Sequence, residues 1–99
     1  MPKIVVRIDP DLSDLIPGFL ARKRQDVEAI RVAAAAGNHT ALSDLAHKIK
    51  GEGGSYGLDR ISEIGANLEL AAKAQDAAEV QRQAEALDEF LDAVEIVYD

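Results

Sequence analysis

Residues 38–57 read NHTALSDLAHKIKGEGGSYG, and the fold turns on whether this stretch is one helix or a helix that breaks. It carries His47, then Gly51, Gly53, Gly54 and Gly57, four glycines within seven residues. In a helix interior each glycine costs about 1 kcal/mol relative to alanine, so packing alone would not select them. Either the helix stops at Lys50, or something needs bare backbone close to His47. A helical wheel at about 100° per residue separates the two. With His47 at zero, Thr40, Ser43, Gly51 and Gly54 fall within about 40° of it, and Lys50 lies about 60° away. Leu42, Leu45, Ile49 and Tyr56 fall within about 40° of the opposite pole. The apolar stripe stays in phase through the glycines. The spacing therefore predicts a helix continuing to about Tyr56, with His47 on its polar, small-residue face.

On either side, Gly37 is a C-cap signal and Asn38 an N-cap candidate, so a tight turn precedes this helix. Upstream, Leu12, Ile16, Phe19, Lys23, Val27, Ile30 and Ala34 step by three or four, a stripe interrupted only by Lys23. Asp9 can cap a short helix with Pro10 at its first position. Pro17 kinks or ends that helix near Ile16 and opens the next, over about 17–36. The continuous stripe suggests one bent helix. Residues 3–8, KIVVRI, have strand composition but no convincing second strand, so residues 1–8 are expected to form an extended arm. Downstream, Gly57 ends the His47 helix and Asp59 can cap the next, whose apolar face is Ile61, Ile64 or Gly65, Leu68 and Ala71 or Ala72. A polar break near residue 75 leads to a last helix over about 76–98, with stripe Val80, Ala84, Leu87, Leu91, Val94 and Tyr98. Four amphipathic helices joined by short connections predict one all-α domain over residues 1–99. Its fold is an antiparallel up-and-down four-helix bundle with a short N-terminal helix and an extended arm. Arg22, Lys23 and Arg24 early in the first long helix should then face Asp92, Glu95 and Asp99 late in the last.

At 99 residues the chain is large enough for a single modest core, and 47% hydrophobic content excludes wholesale disorder. No apolar run approaches a membrane span, and the run in MPKIVVRI is too short for a signal peptide, so a cytoplasmic protein is expected. With no cysteine there is neither disulfide nor thiolate chemistry. The net charge of −7 argues against nucleic acid, which needs a basic surface. Residues 1–75 carry ten basic and ten acidic side chains, whereas residues 76–99 carry eight acids against Arg82 alone, a solvated acidic face.

No catalytic constellation is complete. His39 and His47 are eight residues apart and form no HExxH arrangement, so a zinc hydrolase has no support. GEGGSYG follows a helix rather than a strand and lacks a terminal GK[ST], which argues against a phosphate-binding loop. His39 reads as a helix-start surface residue without a role. What remains is an exposed histidine with a lysine at i+3 and glycines at i+4 and i+7. Neutral imidazole is a competent nucleophile near pH 7. Small neighbours admit a bulky phosphorylated donor, and a cation one turn away can stabilise phosphate charge.

His47-Lys48-Ile49-Lys50-Gly51 followed by Gly57 resembles the H-x-x-K-G-x-x-x-x-x-G pattern of histidine-containing phosphotransfer (HPt) domains. Ala46 before the histidine, Gly57-Leu58 after the helix, Leu68-Glu69 in the next one and the opening VRIDPDLSDLIPGFLARKRQDVEAI agree with stand-alone bacterial-type members. The resemblance implies a phosphorelay intermediate of two-component signalling without catalysis of its own. His47 would take a phosphoryl group from a receiver-domain aspartyl phosphate and pass it to another receiver aspartate. Lys50 would stabilise the phosphohistidine, Gly51 would leave room around it, and Gly57 would serve the turn. Thr40, Ser43 and Gly54 would support the docking face. Leu12, Leu15, Ile16 and Phe19 are candidate flanks. The protein would need no cofactor of its own, Mg2+ being expected from the receiver. Its partners would be response-regulator receivers, with a hybrid histidine kinase as a further candidate, and a monomer suffices. Glu52 departs from the small residue more usual in the family, but the wheel puts it about 140° from His47. The alternative is a four-helix interaction module of the same shape that carries no phosphate.

Overall fold

The computed structural model describes residues 3–99. Strand β1 (Ile4–Ile8) leads through one 3-10 turn (Pro10–Leu12) into helix α1 (Ile16–Ala35). Helices α2 (His39–Ser55), α3 (Asp59–Lys73) and α4 (Ala77–Ala93) follow, and strand β2 (Val94–Tyr98) closes the chain. Each helix packs on the next and α4 returns to α1, which makes the antiparallel four-helix bundle. The stripes expected from the sequence fill its core. Ile16, Phe19, Val27 and Ile30 meet Leu42, Ala46 and Ile49 from α2, Ile61, Ile64 and Leu68 from α3, and Val80, Ala84, Leu87 and Leu91 from α4.

The caps explain where the helices begin and end. Asn38 accepts from the Ala41 N–H and Asp76 from the Glu79 N–H, each satisfying an orphan donor of its helix. Gly57, at φ +76°, makes the left-handed turn between α2 and α3 that a side chain would strain. Asp59 is not the cap of α3. Leu58 holds that position, and Asp59 is the first helical residue, where its charge still complements the helix N-terminus.

Three expectations need correction. The helix after Pro10 is a single 3-10 turn, and residues 13–15 separate it from α1, so the stripe spans two elements rather than one bent helix. The arm is a true strand, with its first two residues outside the described ones. Its partner is the segment assigned to the end of the last helix: α4 stops at Ala93, and Val94–Tyr98 pair with Ile4–Ile8 in parallel register, Ile4 opposite Val94 and Ile8 opposite Tyr98. Val94, Ile96, Val97 and Tyr98 are β-branched or aromatic, and positions 94, 96 and 98 also satisfy a strand's period of two. Finally, of the three basic residues expected to face the end of the last helix, Arg24 does so, 2.9 Å from Asp92, while Lys23 turns inward and Asp99 pairs with Arg7 instead.

Lys23 does not interrupt the core; it is buried in it. Its side chain is 0% exposed, and Nζ lies 2.6 Å from both Asp26 Oδ2 and Glu52 Oε1. The ammonium also lies 5.1 Å from the centroid of the Phe19 ring, which stacks on Tyr56 at 4.2 Å. Glu52, the departure from the family pattern, thus ties α2 to α1.

The glycines of α2 divide by what surrounds them. A Cβ on Gly51 would meet nothing within 4 Å, whereas one on Gly53 would lie 2.5 Å from the Ser62 backbone nitrogen and 2.8 Å from the Leu58 carbonyl oxygen. Gly51→Ala should therefore gain up to about 1 kcal/mol of helix propensity. Gly53→Ala should lose about 1–3 kcal/mol to overpacking against backbone. Urea unfolding midpoints check this, and equal shifts for the two variants would contradict the distinction.

Candidate functional site

His47 projects from the middle of α2 with its side chain 78% exposed, on the face opposite Leu42, Leu45 and Ile49, as the wheel requires. Its Nδ1 lies 3.2 Å from Glu69 Oε2 on α3. Lys50 Nζ lies 3.5 Å from the other oxygen of the same carboxylate. Glu69, 14% exposed, thus stands between the imidazole and the ammonium and holds both. An ionised carboxylate can only accept, so the Glu69 contact places the proton on Nδ1 and leaves Nε2 with a free lone pair. Burial opposes ionisation of Glu69, but the Lys73 ammonium, the hydrogen bond from His47 and the Lys50 charge outweigh it and hold the carboxyl below its ordinary 4.5.

That shift carries a sign. A carboxyl with a depressed folded-state pKa adds stability above its unfolded pKa and loses it as pH falls through the folded value. The stability difference between wild type and Glu69→Gln should be constant above about pH 5 and disappear in more acid solution. Paired urea titrations from pH 7 to pH 3 check it; a difference that grew on acidification would contradict the assignment.

The close approach of α3 to α2 depends on Gly65, where a Cβ would sit 2.8 Å from Lys50 Cα and 3.0 Å from the Ala46 carbonyl oxygen. One turn away, Ser62 Oγ accepts from the Gly54 N–H at 2.7 Å and donates to the Lys50 carbonyl at 2.7 Å. Thr40 is exposed and Ser43 half-buried; with His39, Asp44 and Lys73 they line an open hollow of about 380 Å3 between the start of α2 and the end of α3. His39 is half-buried rather than a plain surface residue, and its Nδ1 is buried without a partner. Of the four apolar candidates for flanking the site, Ile16 and Phe19 are core, Leu12 is half-buried, and only Leu15 is exposed, at 52%.

A family model described as Hpt domain matches residues 14–96. The chain belongs to the Hpt domain family. Neither a curated protein nor a solved structure matches it. Hpt domains are phosphocarrier modules that pass phosphoryl groups through histidine in phosphorelay signalling, and they interact with receiver domains and kinases. In this Hpt domain His47, Lys50 and Gly51 lie on one exposed face of α2, while Gly57 lies in the turn beyond it and the Gly54 N–H donates to Ser62 Oγ. Among the described residues no helix is long and apolar enough to cross a membrane, and no group of three or more potential ligands could hold a metal ion.

Glu69 is the site residue that sequence reasoning left without a role. It stood only as part of the Leu68-Glu69 pair, because the α2 wheel says nothing about which α3 residues oppose it. A usable signal was there. Ser62, Gly65 and Glu69 repeat on α3 the i, i+3, i+7 spacing of His47, Lys50 and Gly54 on α2.

Proposed function

We propose that this protein is a phosphorelay intermediate in which His47 takes a phosphoryl group from a receiver aspartyl phosphate and delivers it to another receiver. The observation that carries this reading is the Glu69 contact at Nδ1, which leaves the exposed imidazole its other nitrogen as nucleophile. The Nε2 lone pair attacks phosphorus in line, the N–P bond forms, and the P–O bond to the receiver's aspartate breaks with its electron pair left on that carboxylate. The Nδ1 proton stays on the ring. The positive charge the ring acquires is offset by Glu69, and Lys50 faces the charge of the phosphoryl oxygens. The return step is the same exchange in reverse, so no proton need enter or leave.

The open surroundings of Gly51 fit this chemistry, since the partner's loops must bring a bulky group to Nε2. The partner is a receiver domain, which brings its own Mg2+ and docks over α2 and the α3 edge in a transient interface. The test is to incubate the protein with a receiver charged by acetyl phosphate and to assay the phosphate it acquires. Acid-labile, alkali-stable phosphate is expected; its absence would leave the interaction module without phosphate as the better account.

A further inference from the structure

The His47 turn is held by α3 at a second point, away from any reacting atom. In a regular helix the Lys50 carbonyl and the Gly54 N–H pair directly. Here Ser62 Oγ bridges those two groups, 2.7 Å from each. A hydroxyl from a neighbouring helix bonded to both members of a ladder pair ties that turn to the neighbour. The chain makes room for it, because Gly53 has no Cβ to strike Ser62 Oγ at 2.6 Å. Lys50 itself is half-exposed, and among the described residues its ammonium is paired only with Glu69, at a loose 3.5 Å. Beyond that loose contact, what α3 gives the lysine is a fixed starting point: the two Ser62 bonds hold the backbone turn from which its side chain departs.

We propose that Ser62 is a positioning residue for phosphoryl transfer: its hydroxyl, bridging the Lys50 carbonyl and the Gly54 N–H, fixes the α2 turn that aims Lys50 at the phosphoryl group on His47. The proposal rests on the phosphocarrier reading. It makes Ser62, Gly65 and Glu69 one working face of α3, with Glu69 holding the two side chains, Gly65 admitting the backbone and Ser62 setting the lysine's turn.

Transfer rates from a receiver charged with acetyl phosphate, measured for wild type, Ser62→Ala, Lys50→Ala and the double variant, test it. Losing the bridge should slow transfer about fivefold in the wild-type background, the effect of one well-made hydrogen bond. In the Lys50→Ala background the same substitution should change the rate less than about twofold, because residues acting as a unit are not additive. Ser62→Thr, which keeps the hydroxyl, should restore the rate. If Ser62→Ala does not fold by circular dichroism, Ser62→Cys, similar in size with a weak donor, takes its place with the same expected direction. Equal losses in both backgrounds would mean a purely structural role and overturn the proposal, as would no loss at all. A wild type that accepts no phosphate overturns the carrier reading and this proposal together. A labelled wild type indifferent to Ser62 overturns this proposal alone.

Discussion

Lys23→Ala is expected to destabilise the bundle by about 3–5 kcal/mol, the cost of removing one partner from a buried ion pair. Two carboxylates depend on that ammonium at 2.6 Å each, Asp26 from α1 itself and Glu52 from α2. Deleting the lysine leaves them close together, partly desolvated and of like charge, and adds a cavity beside Phe19 where the aliphatic stem lay. Lys23→Met separates the two contributions, since it keeps most of the stem and loses the charge. A loss nearly as large as for alanine assigns the effect to the stranded carboxylates. Replacing all three groups together by apolar or neutral residues should recover much of the loss, because an ion cluster replaced as a whole is often close to neutral. Urea midpoints at constant m-value give these numbers. Alanine and methionine variants within about 0.5 kcal/mol of wild type, the range of ordinary surface substitutions, would contradict the account.

His47→Gln is expected to abolish phosphate loading, by at least about a hundredfold, with little change in stability. Glutamine has no nucleophilic nitrogen, yet its amide can still donate to Glu69, and an exposed position has little packing to lose. His39→Gln is the matched control. That ring is the other imidazole of the chain, but it stands on the first residue of α2 with its Nδ1 buried. The control should load phosphate like wild type. Loading that survived in His47→Gln and vanished in His39→Gln would move the site to the start of the helix.

The parts of this molecule that could be read from its sequence are those set by the period of one helix. The α2 stripe through Leu42, Leu45 and Ile49 decided both that the helix continues past its glycines and that His47 faces out. The misreadings arise where two physical rules give the same pattern. Val94 and Tyr98 suit the last turn of a helix and the alternation of a strand equally, and only pairing with Ile4–Ile8 decides between them. A wheel scores Lys23 as a break in an apolar stripe, but a lysine's stem is apolar, and its charge found two carboxylates from different helices. Gly53 and Gly54 look alike in sequence, but Ser62 and the Leu58 carbonyl crowd a Cβ at the first, whereas one at the second would meet Ser62 at ordinary contact distance. Glu69 and Ser62 could not be assigned from the α2 wheel alone, since His47 lies 22 residues from Glu69, and Gly54 and Lys50 lie 8 and 12 residues from Ser62.

The central claim is that Glu69 occupies Nδ1 so that Nε2 of His47 carries the phosphoryl group. Phosphorus–nitrogen NMR on protein charged by a phosphorylated receiver reads this directly. The account predicts a single N–P coupling, to Nε2 of His47. Coupling to Nδ1, coupling to His39, or phosphate held as an acid-stable ester on a hydroxyl would contradict it.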